Sequence, residues 1–341
     1  MSAAVSIYDV AKEAGVSEST VSRAFSRPEL VSSKTRAKVL ETARRMNFSL
    51  DRGRGGSTGR THRIALVQNG DVASWYPGLV FSGLNSVFRP AGYDLAIYDV
   101  VDTRRLHEFL ASIPDRRNVD AVVVVSFDVE PKETETLHEL GIPVVGVGTA
   151  MHRETGMDAW TSVDNAQGMK LMIRYLASLG HRRIMYVGHD PESFELPFST
   201  LARLKGFRQA CEQAGVEGRT LPIPFGDWRF DVTFSILLDD ESIPTALVCQ
   251  QDDIAIPLIL RLRDYGLRVP EDLSITGFDD AQYAETFGLT TIRQNPRLMG
   301  ESAAHKVLDL LAGKTLDEPY TAAQPELIIR SSTKAVAPAD G

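Results

Sequence analysis

From Ile64 onward the chain repeats one pattern: a short apolar run, an amphipathic stretch, then the next run. The runs are IALV (64–67), DLAIY (94–98), AVVVV (121–125) and VVGV (144–147). The rhythm restarts with RIMYV (183–187), TALVC (245–249), LSITG (273–277) and TTIRQ (290–294). Such runs are too short for helices and rich in β-branched residues. Alternating with helical segments, they read as strands of parallel sheets joined by crossover helices. Two successive groups predict two doubly wound α/β subdomains. Ligands of such sheets lie beyond the carboxyl ends of the strands. Binding residues are therefore expected in the loops just after each strand, lining a cleft between the two sheets.

Several function classes drop out. A chain of 341 residues suggests two or three domains, and 43% apolar with 24% charged residues is the balance of a soluble globular protein. No apolar run approaches the ~18 residues of a membrane-spanning helix. The opening MSAAVSIYDVAKEAG lacks the basic-then-apolar order of a secretory signal, so a cytoplasmic location is expected. Two cysteines, Cys211 and Cys249, exclude a disulfide scaffold and a cysteine-ligated zinc. There is no GxSxG, HExxH or Walker loop, and Gly146-Val147-Gly148 lacks the third glycine of a dinucleotide fingerprint. Neither an enzyme nor a cofactor or metal is expected. His181, in LGHRR, reads as a residue that bonds a turn.

Charge divides the chain. Residues 1–63 hold 12 Lys and Arg against 6 Asp and Glu, and the remainder holds 25 against 39, so a +6 head precedes a −14 body. This predicts that only the head meets a polyanion, a solvated basic tail being the other reading of charge alone. The first 47 residues read as three short helices. Ser6 with Asp9 forms a capping box before the apolar face Ile7, Val10, Ala11, Ala14, and Gly15 stops the helix. Ser17 caps a second helix, Glu18 to Phe25, with Val21, Ala24 and Phe25 on one side and polar residues on the other. Ser32 caps a third helix carrying Val39, Leu40 and Ala43. Two helices joined by a tight glycine turn and braced by a third form a helix-turn-helix, whose second helix offers its N-terminal face to the major groove.

The string IYDVAKEAGVSESTVSRAF, followed by VSSKTRAKVLETARRMNF, closely resembles the DNA-binding head of the lac repressor family. The resemblance implies that Glu18, Ser19 and Arg23 read base edges. It implies that Ser17, Thr20, Ser22, Ser32, Lys34 and Arg36 mainly hold phosphates, which position the head without specifying sequence. Arg23 can pair bidentately with guanine O6 and N7. Glu18 has three readings: an acceptor for cytosine N4, a charge that repels phosphates and so rejects wrong sites, or a helix-N-terminal acid that favours the dipole.

Residues 48–63, FSLDRGRGGSTGRTHR, read as a glycine- and arginine-rich linker. In the family this stretch forms a short helix on DNA, from which a leucine wedges into the minor groove. Here Gly56 stands where that leucine lies. Arg52 and Arg54 entering a narrow minor groove, and a plain tether, are the two readings left open.

The body strings RNVDAVVVV (117–125), GIPVV (141–145), SVDN (162–165), LGHRRIMYVG (179–188), ARLKGF (202–207), VPEDLSITGFDD (269–280) and LTTIRQ (289–294) resemble the periplasmic-sugar-binding-protein fold that the family uses as its sensor. The resemblance places Arg203 at the family's ligand-binding arginine and Trp228 at an aromatic under the ligand. Trp75 and Tyr76 follow the first strand, Asp252 the strand ending at Cys249, and Phe278 and Asp279 the strand ending at Gly277. Gln294 lies in the last crossover. Aromatic faces with Arg and Asp forks suit a sugar, and would also serve a nucleoside.

The architecture expected is α/β. A helix-turn-helix head (1–47) and a linker (48–63) precede a core (64–334) of two doubly wound parallel-sheet subdomains, about 64–163 with 294–322 and about 164–293 with 323–334, and a short tail (335–341). The function expected is a transcriptional repressor of a carbohydrate-use operon that reads double-stranded operator DNA and answers a small, sugar-like effector in its cleft. A regulator answering a nucleoside or another metabolite is the alternative, and a solute-binding protein is more distant. A pseudo-palindromic operator and a tail without leucine heptads, SSTKAVAPADG, point to a homodimer. Sequence does not fix whether the effector releases or recruits DNA.

Overall fold

The computed structural model describes residues 5–27, 30–46, 48, 61–68, 72–100, 102–151, 154–189, 198–224, 227, 230–238 and 244–336. The chain divides into two compact units. One comprises Met1–Val147, His152–Trp160 and Gly300–Pro319, and the other Gly148–Met151, Thr161–Met299 and Tyr320–Gly341.

The first unit opens with α1 (Ile7–Ala14), α2 (Glu18–Ser26) and α3 (Ser33–Arg45). Each starts where a serine satisfies a free helical N–H. Ser6 accepts from Asp9 N in a full capping box, Ser17 from Thr20 N, and Ser32 from Thr35 N. Gly15 ends α1 in the left-handed region at φ 66°, where a glycine is not strained. Val10, Ala11, Ala14, Val21, Ala24, Val39 and Ala43 form a small core of their own. Phe48 joins them at 4% exposure, its ring edge-on to Phe25 at 6.2 Å. The head's packing therefore reaches one residue past the expected boundary at 47, because a large aromatic there closes the core. Of the linker readings, Arg52, Arg54 and Gly56 lie outside the described residues.

There follow β1 (Arg63–Gln68), α4 (Trp75–Phe88), β2 (Asp94–Asp99), α5 (Thr103–Arg116), β3 (Ala121–Val125), α6 (Pro131–Glu139), β4 (Val144–Val147) and β5 (Ala159–Val163). Next come α7 (Asn165–Ser178), β6 (Arg183–His189), α8 (Phe198–Ala214), β7 (Glu217–Ile223), α9 (Asp231–Leu238), β8 (Ala246–Cys249), α10 (Asp252–Asp264) and β9 (Ser274–Thr276). The chain continues through β10 (Thr291–Arg293), α11 (Pro296–Leu311), β11 (Tyr320–Ala323) and β12 (Glu326–Ile328). Strand order is β11-β5-β4-β3-β1-β2 in one sheet and β7-β6-β8-β9 in another. Order reverses about the first strand of each group, as doubly wound sheets require. Every residue of β3 and β4 is buried, which is why AVVVV and VVGV read as unbroken apolar runs.

TTIRQ departs from expectation. It was expected as a strand of the second parallel sheet, but β10 pairs antiparallel with β12 in a separate two-stranded sheet. It is joined to the parallel layer by the isolated bridges Thr276–Thr290 and Asp279–Arg293 and by the packing of Ile292. His181 is buried and bonds both Thr245 Oγ1 (2.9 Å) and the Lys334 carbonyl (3.1 Å), tying three segments together. Cys211 and Cys249 are buried free thiols. No helix among the described residues is long and apolar enough to cross a membrane.

Gly168, inside α7, lets the ring of Phe278 lie against the helix. A Cβ there would come within 2.8 Å of Phe278 Cε2 and 3.3 Å of Ile292 Cγ2. Gly168→Ala would add about 1 kcal/mol of helix propensity. Overpacking against a fully buried ring costs about 1–3 kcal/mol. The variant is expected to lower the thermal midpoint, and an unchanged or raised midpoint would show that the ring can yield.

Candidate functional site

Two groups of side chains have the geometry of binding sites, one in the head and one in the second unit. In the head, the N-terminal face of α2 is turned to solvent: Ser17, Glu18, Ser19 and Arg23 are exposed, and Thr20 and Ser22 half-buried. The apolar face beneath is anchored by Val21 and Ala24, at 0% and 1% exposure, so the polar face has no alternative orientation. Ser17 Oγ lies 2.9 Å from both Ser19 Oγ and Thr20 Oγ1. Its cap bond thus presets three hydroxyls at one helix end, where backbone N–H groups and the dipole favour an anion. Ser32, the cap of α3, is likewise exposed, with Lys34 and Arg36 just beyond it. None of Arg23, Lys34 and Arg36 has a carboxylate partner among the described residues, whereas Arg45 is paired with Glu13 at 2.8 Å.

In the second unit, Arg203 on α8 is buried at 5% exposure. Its Nε donates to Asn165 Oδ1 (3.0 Å), Nη1 to the Gln250 carbonyl (2.8 Å) and Nη2 to Asp279 Oδ1 (3.2 Å). The guanidinium lies over the Phe278 ring, 3.8 Å from its centroid. Gln294 Nε2 donates to the same Asp279 oxygen at 2.6 Å. A guanidinium has five N–H donors, so two remain, and Asp279 Oδ2 accepts no bond among the described residues. Gln250 follows β8, Asp279 follows β9 and Gln294 follows β10. The cluster therefore sits at the carboxyl ends of the strands, where doubly wound sheets bind ligands.

Asp252 and Phe278 lie beneath this cluster and hold it, a different place from the direct ligand contact expected of them. Asp252 is fully buried. Its two oxygens accept from Ala281 N (2.8 Å) and Thr291 Oγ1 (2.7 Å), and its own N–H donates to the Phe278 carbonyl (2.9 Å). These bonds clamp a turn in which Asp279 and Asp280 have φ of 130° and 56°. Non-glycine residues there are strained, and persist only where the surroundings over-determine them. Phe278 is 0% exposed, its ring spent on Gly168 and Arg203.

The remaining expected residues lie elsewhere. Trp75 and Tyr76 belong to the first unit, half-buried in the first turn of α4 with ring centroids 6.4 Å apart. Trp228 lies outside the described residues. Sequence reasoning missed Asn165 and Gln250. Asn165 stands inside the string SVDN, and Gln250 is the first residue after TALVC, so the rule that ligand groups follow strands would have reached it. The Gln250 side chain accepts from His189 N (2.9 Å) and donates to Thr200 Oγ1 (3.2 Å). The buried Tyr186 hydroxyl has no partner among the described residues.

Burial pushes both Asp252 and Asp279 above the ordinary carboxylate range. The charge of Asp279 raises Asp252 further, while Thr291 and Ala281 pull it down. Asp279 is pulled down by Arg203 and Gln294. The one guanidinium lies beside Asp279 and compensates its charge, while Asp252 has no cation of its own and is raised by burial and by Asp279.

Residues 6–50 match the model of bacterial regulatory proteins, lacI family, and residues 173–333 match the periplasmic binding protein-like domain. The chain is 28% identical over 344 residues to the HTH-type transcriptional repressor PurR of Vibrio vulnificus, spanning 97% of this chain and 99% of that protein. Among solved structures, the transcriptional regulator CelR–cellobiose complex aligns with a TM-score of 0.67 at 24% identity, over 96% of this chain and 99% of that one. The lac repressor dimer bound to operator and the anti-inducer ONPF also aligns at 0.67, with 22% identity over 97% and 99%.

The raised carboxyls set a direction for stability against pH. A group whose folded pKa exceeds its unfolded value of ~3.9 binds more protons when folded, so stability falls as pH rises through that interval. Asp252→Asn mimics the protonated form. The fall in urea midpoint from pH 5 to pH 8 is expected to be smaller in this variant than in the parent. An identical fall would mean that Asp252 is ionised throughout.

Proposed function

The chain belongs to the lacI family of bacterial regulatory proteins, and we propose that it is a homodimeric repressor that two heads hold on a pseudo-palindromic operator. The observation that carries the DNA half is the exposed polar face of α2, with Arg23 free of any carboxylate among the described residues, on a head of net charge +6. Glu18, Ser19 and Arg23 read base edges in this proposal. Ser17, Thr20, Ser22, Ser32, Lys34 and Arg36 meet phosphates. A dimer matches the twofold symmetry of a palindrome, and each half-site receives one α2 in the major groove.

The effector is a small polyhydroxylated molecule of the sugar class, bound at the carboxyl edge of the second unit's sheet. Arg203, Asp279 and Gln294 touch it, and Phe278, Asn165 and Asp252 position them. The two spare donors of Arg203 and the free acceptor of Asp279 can divide neighbouring hydroxyls, each of which offers one donor and two acceptors. A site of buried polar groups rejects analogues that leave one unpaired. The CelR complex with cellobiose, of the same fold, supports a carbohydrate.

Both halves are open to measurement. With a preferred site selected from random DNA, Arg23→Ala is expected to weaken that site by about 1–3 kcal/mol more than random DNA. Arg36→Ala is expected to weaken both alike and to make the salt slope shallower by roughly 0.9. Equal losses for Arg23→Ala would remove its base-reading role. Asp279→Asn and Arg203→Ala are expected to abolish the response of DNA affinity to a sugar that binds the parent, with operator binding retained. A normal response in both variants would place the effector elsewhere.

A further inference from the structure

The body carries a net charge of −14, yet one of its faces is basic. In the described parts of 165–189 and 198–214, which span α7, β6 and α8, the exposed basic residues are Lys170, Arg174, Arg182, Arg183, Lys205 and Arg208, and the single acid is Glu212. The side chains of Lys170, Arg174 and Arg182 converge on a groove of about 490 Å³ where α7 and α8 both end. All three residues are exposed, and none has a carboxylate partner among the described residues. Ala177, Ala210 and Ala214 line the groove, and Ser178 and Gln213 add neutral hydrogen-bonding groups.

The groove is preformed. Arg182 Nη1 donates to the carbonyls of Ala177 (2.9 Å) and His181 (3.1 Å), which fixes its guanidinium at the end of α7. Lys170 and Arg174 are one helical turn apart on α7 and so share a face. The close approach of α7 to α8 is set at the other end of α7, where a Cβ on Gly206 would lie 2.9 Å from Ala166 Cα. Two helix C-termini place about one negative charge at the groove, roughly half each. Three full cations exceed it, so the surplus is about two positive charges.

We propose that this groove binds a small anion carrying two or more negative charges, of the phosphate or pyrophosphate class. Its volume lies within the ~300–1,000 Å³ of small-molecule sites. Among the described residues it has no aromatic or large aliphatic lining residue, and so lacks the anchors that protein partners use. Lys supplies a point charge for a phosphoryl oxygen and Arg a planar fork for two. This site is separate from the sugar site in its residues and its chemistry, although α7 and α8 also carry Asn165 and Arg203.

The test uses the full chain and inorganic pyrophosphate, titrated by calorimetry against sodium chloride of matched ionic strength. Saturable binding is expected at one site per chain. The double variant Arg174→Ala/Arg182→Ala is expected to weaken it at least tenfold, and Lys170→Ala about threefold or more. The head variant Arg23→Ala/Arg36→Ala is expected to leave it unchanged. All altered residues are exposed, and unchanged circular dichroism and thermal midpoint confirm folding. No saturable binding, or loss of binding in the head variant, would overturn the proposal. Binding of poly-glutamate without binding of pyrophosphate would overturn it in favour of an acidic protein partner.

Discussion

A guanidinium taken out of water must find partners for its charge and for its fixed fork of donors, and much of the second unit is arranged to provide them for Arg203. Its partners come from segments far apart in sequence: Asn165 at the start of α7, Gln250 after β8, and Phe278 and Asp279 after β9. Each contact therefore fixes the relative position of two elements. Breaking a buried pair by removing one partner costs about 3–5 kcal/mol, because the other charge is left uncompensated. Arg203 is thus a fastening of the sheet's carboxyl edge, and in the proposed role a ligand hydroxyl would meet donors already aimed.

The same edge stores strain. Asp279 and Asp280 sit at positive φ without being glycines, and the turn is held from both sides. Asp252 grips Ala281 and Thr291 from below. The Asp280 carboxylate is shared between Arg293 Nε and Arg330 Nη2, each at 2.7 Å. Asp279 N donates to the Ile292 carbonyl at 2.7 Å. Here the departure of TTIRQ from the parallel sheet has its use. By crossing to pair with β12, β10 brings Thr291, Arg293 and Gln294 against the turn, where a regular strand would have run past it. The Asp279 carboxylate is therefore set by backbone geometry, and Asp252, though it follows a strand end as a ligand group would, serves as a support.

Elements were legible where burial is two-sided. AVVVV and VVGV lie in the middle of a sheet and show as continuous apolar runs. The strand AWTSV is equally buried, but Thr161 and Ser162 interrupt its apolar signal, and EGRTLPI is an edge strand with only Leu221 and Ile223 buried. Such strands show weakly because apolarity, not burial, is what a sequence displays. In the site, Arg203 and Asp279 could be found from strings and strand ends, whereas the jobs of Phe278 and Asp252 depend on which face of a loop turns inward. No periodicity records that. The head was the most legible part, since a serine cap, a glycine stop and an i, i+3, i+4 face are all local signals.

The head's independence follows from the same local character. Its core is built from Val10, Ala11, Ala14, Val21, Ala24, Val39, Ala43 and Phe48, residues within a single short stretch of chain. The setting of α2 rests on this local core. Residues 1–63, at +6, are drawn to a polyanion while the −14 remainder is repelled from it. Charge thus gives the head its orientation toward DNA before any base is read. The placement of the polar side chains on α2 is fixed by the burial of Val21 and Ala24 beneath them.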